Sequence, residues 1–356
     1  MSLTRLALRD FRCFADLELD LSPRANLITG ANASGKTSLL EAVFFLGRAR
    51  SFRTPKSEQL VRHGAEGFLL SGQSRAEAGT VALGIARGPK GLEARIAGEP
   101  AQSLAQLAER LPVQLFDAGA HQLIEGGPRH RRQFLDWGVF HVEPAFLTAW
   151  RRYQRALKQR NTLLRQRAGE DLLKTWEPEL AEAGSLLDQS RRRYLADLES
   201  LVLEWASRLL GGTELSVQYQ RGWTEGRTLE EALALGRPRD REQGVTQAGP
   251  HRAELLIQVG GMPAAQRVSR GQQKVLAGAL LLAQAMFLHR STGRDCVLLL
   301  DDLAAELDTH HQGRFQELVR ESQAQVFLTS VEPERVGRWP EARMFHVEQG
   351  KIRQMV

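Results

Sequence analysis

Gly30-Ala31-Asn32-Ala33-Ser34-Gly35-Lys36-Thr37 is the stretch from which the fold of this chain can be read. It fits the pattern Gly-x-x-x-x-Gly-Lys-[Ser/Thr], and its flanks are those the pattern requires. Asn26-Leu27-Ile28-Thr29 reads as a short buried strand entering the loop. Ser38 to Leu46 reads as a helix leaving it, with Gly47 placed to end the helix. Two glycines let the backbone wrap around an anion, and the first amides of the helix point at it with the positive end of the helix dipole behind them. Lys36 would reach the β- and γ-phosphates of a nucleotide, and the Thr37 hydroxyl would take a place on Mg²⁺. The plain alternative is a glycine turn before a helix that happens to carry Lys-Thr. Motifs further along the chain decide against it.

With 356 residues the chain has room for two domains, or for one domain with an insertion. Its hydrophobic content of 42% and charged content of 25% are those of a globular protein. Two cysteines, Cys13 and Cys296, both expected in strands, exclude a disulfide framework. The first residues lack the apolar core of a signal peptide, and the longest apolar run, Val275 to Leu288, is too short to span a bilayer. A cytoplasmic, membrane-free location is expected. Net charge is +6, but Arg129 to Arg167 alone holds ten Arg or Lys against two acids. That local excess is larger than the whole chain's, and it is the electrostatic footprint of a polyanion partner. Only seven of the 48 basic residues are Lys, so an Arg-rich codon usage also inflates the count.

Residues 3 to 30 read as three strands, the second an alternating Leu17-Glu18-Leu19-Asp20-Leu21. Phe68–Ser71, Val81–Ile85 and Leu92–Ile96 read as antiparallel strands with a turn at Gly88-Pro89-Lys90-Gly91, and Val113–Phe116 closes that region. From about Leu123 the pattern becomes helical. Phe146, Trp150, Tyr153, Leu157 and Leu164 form an apolar seam, with Arg151, Arg152, Arg155, Lys158 and Arg165 off it. A second helix runs from about Glu179 to Leu210 and stops at Gly211-Gly212. Gly236 to Gly244 reads as a charged link. The expected organisation is an α/β nucleotide-binding head split between residues 1–122 and 244–356, around a mainly helical, basic insertion at 123–243.

Ser269-Arg270-Gly271-Gln272-Gln273-Lys274 opens an apolar helix. Ser269 and Gln272 have capping-box spacing, which by itself suits an ordinary helix start as well as an anion site built from a hydroxyl, a glycine amide and a helix terminus. Position favours the second, because Cys296-Val297-Leu298-Leu299-Leu300-Asp301-Asp302 follows: a buried strand with two acids at its carboxyl end, where α/β folds bind ligands. Asp301 would hold Mg²⁺, and Asp302 would orient or deprotonate an attacking water. Other chemistries find no support, since the nine histidines show no metal-ligand spacing and no Gly-x-Ser-x-Gly occurs.

Phosphate loop, Ser-x-Gly-Gln, apolar strand with paired acids and Ala-x-Leu-Asp, in this order, resemble the ATP-binding-cassette (ABC) ATPases. Within them the chain resembles the RecF family, bacterial recombination mediators related to SMC proteins. The matching stretches are Phe11–Phe14, Gly30–Thr37, Gly47–Thr54, Gly127–Asp136, Ala248–Arg252, Ser269–Lys274 and Leu299–Asp308. The resemblance implies an SMC-type head with an inserted helical domain that binds ATP with Mg²⁺. It implies nucleotide contacts from Gly30, Ala31, Asn32, Ala33, Ser34, Gly35, Lys36 and Thr37, and catalysis by Lys36, Asp301 and Asp302. Ser269, Arg270, Gly271 and Gln272 would reach the nucleotide of a second copy in an ATP-dependent homodimer, with Asp308 at that interface. Arg12 is either a nucleotide contact, as in SMC-type heads, or a solvated side chain. Arg270 in place of Gly, Asp302 in place of Glu and Ser330 in place of the switch His depart from the broader pattern. The last two argue for slow hydrolysis, suited to a switch. The glutamine-loop residue is not assignable from the sequence.

The function so implied is an ATP-dependent DNA clamp with weak, DNA-stimulated ATPase activity. Its partners would be DNA, duplex or gapped, together with RecR and RecO, and RecA would be loaded downstream at gaps in recombinational repair, replication restart and the SOS response. Arg129, Arg131, Arg132, Arg151, Arg152, Arg155 and Lys158 are the candidate DNA contacts. An ABC transporter ATPase subunit is the rival from another class. It would need a membrane partner and has no use for the basic insertion.

Overall fold

The computed structural model describes every residue except Ala78, Thr213, Pro333, Arg335, Val336, Arg338, Pro340 and Val356, and all side chains of the rest but those of Ala304, Ala305 and Thr309. The chain divides into two compact units, Met1–Ala120 with Arg270–Val356, and His121–Ser269. In the first stretch lie strands β1 (Ser2–Phe11), β2 (Phe14–Asp20), β3 (Ala25–Thr29), β4 (Phe68–Ala76), β5 (Gly79–Gly88), β6 (Gly91–Ile96), β7 (Glu99–Pro100) and β8 (Val113–Phe116), with helices α1 (Lys36–Arg48) and α2 (Ala105–Arg110). The second unit holds helices α3 (Gln122–Glu125), α4 (Pro128–Val142), α5 (Phe146–Arg165), α6 (Glu170–Leu210), α7 (Leu229–Gln243) and α8 (Ala264–Arg267), with strands β9 (Leu215–Gln220), β10 (Glu254–Val259) and β11 (Met262–Pro263). The last stretch adds α9 (Arg270–Thr292), α10 (Leu303–Glu306), α11 (Thr309–Glu321), β12 (Val297–Leu300), β13 (Gln325–Ser330), β14 (Ala342–Glu348) and β15 (Lys351–Met355).

The first unit has two sheets. One is antiparallel, ordered β2-β1-β4-β5-β6-β7. The other is ordered β15-β14-β3-β13-β12-β8, parallel throughout except for the β14–β15 hairpin. Its middle strands β3, β13 and β12 are buried at every position. A strand covered on both faces reads as continuous apolar sequence, and Val297–Leu300 and Val326–Leu328 are of that kind. Helix α1 is buried from Leu39 to Gly47 and shares one core with both sheets, from Leu6, Phe68 and Ile85 to Leu299, Phe327 and Phe345. Side chains of this size stabilise by about 1.5–3 kcal/mol each when fully buried, so the helix that leaves the phosphate loop is anchored along its length.

Several local expectations change. Gly47 lies inside α1, where a Cβ would sit 2.6 Å from the Leu111 carbonyl, so it serves close packing, and the left-handed Ala49 ends the helix. Cys13 is exposed in the β1–β2 turn, and Cys296 is buried just before β12. Strand β8 joins the parallel sheet beside β12 and leaves the antiparallel one to the hairpins.

In the second unit α5 packs along α6, a 41-residue helix ended by left-handed Gly211. Residues 236–243 continue a helix, closed by left-handed Gly244, where a link over Gly236 to Gly244 was expected. Thr228 and Glu231 cap α7 reciprocally, and Pro238 is accommodated within it. Strand β10 pairs with β9 and belongs to this unit, so the return to the first unit comes at Arg270, later than the expected Gly244. Trp150 is 38% exposed, off the apolar seam on which it was expected, while Arg160 takes a fully buried place there.

Candidate nucleotide site

Strands β3, β13 and β12 are neighbours, and their carboxyl ends deliver Gly30, Ser330 and Asp301 to one edge of the parallel sheet. Gly30 has φ +149°, and a Cβ there would lie 2.3 Å from the Val347 carbonyl of β14, so the loop turns where only glycine fits. No side chain caps the amino end of α1, which starts at Lys36. The first-turn amides are therefore aimed at the loop's hollow with the helix dipole behind them. Ser34 Oγ is buried there without a protein partner.

Lys36 is 7% exposed, and its Nζ donates to the carbonyls of Gly30 at 2.8 Å and Ala31 at 2.9 Å. Burial lowers its pKa, opposed by Asp302 and Asp301. Thr37 Oγ1 donates to both carboxylate oxygens of Asp301, at 3.1 and 3.0 Å. Thr329 Oγ1 donates to Asp301 Oδ1 at 2.7 Å and accepts the Asp302 amide at 2.8 Å. Asp302 itself adopts φ 50°, ψ 48°. Burial raises its pKa, Lys36 opposes the shift, and Asp301 adds to it. A buried hydroxyl lacking a partner, a lysine bonded only to carbonyls and a Thr–Asp pair of hard oxygen donors fit a nucleotide's phosphates and Mg²⁺. Among the described residues no group of three or more His, Cys, Asp or Glu forms a metal site of its own, so phosphate oxygens would have to complete the ligand set.

The neighbouring side chains sort less evenly. Arg12 donates through Nε and Nη2 to Glu41, at 2.7 and 2.8 Å, and through Nη1 to the Gln59 carbonyl. Glu41 lies on α1 with no exposure and also receives Ser51 and Arg53. Arg12 is thus held in an ion pair with the buried Glu41 and is not a solvated side chain. Asp308 caps α11, accepting the His311 amide at 3.0 Å, and its carboxylate lies 2.6 Å from His311 Nδ1. These bonds lower its pKa. Ser330 Oγ closes its own turn with the amide and carbonyl of Glu332. Ser269 is the last residue of the second unit, and with Arg270, Gly271 and Gln272 it is exposed. A Cβ on Gly271 would meet nothing within 4 Å.

Residues 2–353 match the family described as RecF/RecN/SMC N terminal domain. The chain belongs to the RecF family. Its similar relatives include the "DNA replication and repair protein RecF" of Chromohalobacter salexigens, 46% identical with 99% of each chain covered. That of Pseudomonas entomophila is 43% identical, covering 99% of this chain and 98% of the relative. Among solved structures, the ATP-bound "recombination mediator protein RecF" superposes with a TM-score of 0.90 at 26% identity, covering 100% of this chain and 98% of that one. An SMC head bound to the winged-helix domain of ScpA shares the fold, with a TM-score of 0.62 at 16% identity over 100% of this chain and 98% of that one. A RecF-family chain is an SMC-type ATPase of the ABC class, and the α/β head of ABC/SMC type expected from the sequence is the fold found.

The candidate DNA contacts of this RecF-family member divide in two. Arg131 binds Glu254 through Nε and Nη2 at 2.7 and 2.8 Å and the carbonyls of Ile124 and Gly126. Arg132 donates to the Ala253 carbonyl, and Arg152 is paired with Glu179 and Glu182. These three hold the unit together. Arg129, Arg151, Arg155 and Lys158 are exposed. With Arg165, the last three follow the i, i+4, i+7, i+14 rule on α5, a cationic stripe roughly 20 Å long. Sequence reading gave no role at the site to Thr329 or Glu41, and although it expected the closing hairpin of Met344–Val347 and Ile352–Met355, it did not foresee that the Gly350 amide donates to the Ser34 carbonyl. A β-branched residue in a buried strand and a glutamate within a helix carry no signal of such roles.

Proposed function

We propose that this chain is a RecF-type, ATP-driven DNA clamp. Lys36, Thr37 and the Gly30–Thr37 amides bind the phosphates, Thr37 and Asp301 hold Mg²⁺, and Asp302 directs the attacking water. The observation that carries the reading is the Thr37–Asp301 pair beside a buried Lys36 bonded only to carbonyls. Bound Mg²⁺ supplies a Lewis acid that neutralises charge on the phosphates. The burial that raises Asp302's pKa supports its use as a base.

Exposed Ser269, Arg270, Gly271 and Gln272 reach the nucleotide of a second copy, with Asp308 at the joint, so ATP closes a homodimer and hydrolysis opens it. DNA lies along the α5 stripe through its phosphates, bound without sequence readout. As the RecF relatives' pathway suggests, the partners are RecR and RecO, and the outcome is loading of RecA at gapped DNA in the cytoplasm, serving recombinational repair, replication restart and the SOS response. The test is sedimentation velocity with ATP or ADP, with and without duplex DNA, on the parent and on Ser269→Arg. An ATP-specific dimer that retains DNA and is lost in the variant is expected. A monomer under every condition removes the clamp.

A further inference from the structure

Strand β13 runs between the strand of the phosphate loop and the strand of the two acids, and its Leu328–Leu300 and Thr329–Ile28 pairings place Thr329 beside Asp301. Thr329 has no exposure. Its hydroxyl has one proton, which goes to Asp301 Oδ1 at 2.7 Å, and it accepts the Asp302 amide at 2.8 Å. Asp301 Oδ1 thereby receives two hydroxyl donors, Thr37 from the first turn of α1 and Thr329 from the end of β13. Asp302 sits in left-handed backbone, which residues with a side chain seldom adopt, and the bond from its amide ties that conformation to Thr329.

We propose that Thr329 is the positioning residue that sets both acids of the nucleotide site at once. It fixes the plane of the Asp301 carboxylate through its proton and the backbone turn of Asp302 through its lone pair. A single hydroxyl then aligns the metal-binding acid with the acid that directs water, so neither reorients without the other. Thr329 is not itself catalytic, because its only hydroxyl proton and its acceptor site are both committed to the acids. The assignment rests on the nucleotide reading of the previous subsection.

Thr329→Val keeps shape and β-branching but deletes both bonds, whereas Thr329→Ser keeps the hydroxyl. Two readouts separate positioning from packing: Mn²⁺ affinity of the ATP-bound protein by electron paramagnetic resonance, and the single-turnover rate of ATP hydrolysis. In Thr329→Val, Mn²⁺ binding is expected to weaken and hydrolysis to slow by roughly tenfold or more each, what loss of a hydrogen bond to a charged group brings. Metal-free ATP binding should stay within about twofold, since the carbonyl-bound Lys36 and the loop amides are untouched. Thr329→Ser should remain within about threefold of the parent in both readouts. Parent-like Mn²⁺ binding and hydrolysis in Thr329→Val overturn the proposal. So does an equal loss in Thr329→Ser, or loss of metal-free ATP binding in both variants, because Thr329 then only packs the sheet. Failure of the parent itself to bind ATP would instead sink the nucleotide reading.

Discussion

Lys36 and Arg160 are both cations taken out of water, one in each unit of the chain, and they are compensated in opposite ways. Arg160 has no exposure and donates to Asp240 at 2.7 Å, to Thr246 at 2.8 Å and to Glu177 at 3.1 Å. Its charge is cancelled inside the protein. Lys36 is bonded to two neutral carbonyls, with the acids at a distance that is felt only electrostatically. Its charge is left over for a ligand. The contrast extends outward: in the second unit Arg191 binds Asp136 and the Pro250 carbonyl, and Arg237 binds Glu177 and Glu170. Positive charge there is mostly mortar between helices, and the exposed cations of α5, with Arg129 on α4, remain for a polyanion. A cation's partner, more than its burial, separates function from architecture.

The largest effect should come from breaking the internal pairing. Arg160→Leu leaves Asp240 and Glu177 buried with one partner fewer, and removal of one member of such a pair costs about 3–5 kcal/mol. Urea unfolding would show it, and restoration by the double change Arg160→Leu/Asp240→Leu would show that unpaired charge, not lost volume, was the cause.

A second test uses pH. His251 accepts the Tyr153 hydroxyl at 2.6 Å, its other ring nitrogen donates to the Thr246 carbonyl at 2.9 Å, and burial, then the nearby arginines, push its pKa down to about 4. The unfolded chain, with an ordinary histidine near pH 6.5, binds more protons between those values, so stability falls as pH drops from about 6.5 to about 4, by up to about 3 kcal/mol. Unfolding measured across that window should show the slope, and His251→Asn should flatten it.

Lys36→Ala should weaken ATP binding by about 1.5–3 kcal/mol, the range for hydrogen bonds to charged groups, while leaving the unfolding midpoint near the parent's. Calorimetry reads the first and thermal denaturation the second. Unchanged affinity would break the contrast with Arg160. The smallest effects belong to the surface. Reversing Arg151, Arg155 and Lys158 singly should each lower the salt slope of DNA binding by about one, whereas Arg152→Ala, already paired to Glu179 and Glu182, should leave that slope unchanged.

The phosphate loop and the paired acids were legible because each is contiguous, and because Val297–Leu300 ending in Asp301-Asp302 admits few other readings. The strand order was legible only in part, since Val113–Phe116 can pair with the hairpins or with Val297–Leu300 and nothing local decides. The fate of the arginines was hidden for the same reason. Arg131 meets Glu254 across 123 residues and Arg160 meets Asp240 across 80, so a window of local charge counts them as free when they are not. Thr329 was invisible because threonine is an ordinary strand former until its hydroxyl is seen between two acids.

The strand that feeds the phosphate loop has both its neighbours, β13 and β14, from the far end of the chain. The Thr29 hydroxyl donates to the Phe345 carbonyl across 316 residues, and the loop's own wall is Val347. During synthesis at about 5–20 residues per second the loop leaves the ribosome roughly 15–60 s before those strands exist. The nascent chain therefore carries an apolar strand without a sheet, and a nucleotide motif without a pocket, until residues 325–348 have been made. Nucleotide binding then reports a chain that has reached β14, and truncations before residue 342 should be captured by chaperones and proteases, not by ATP.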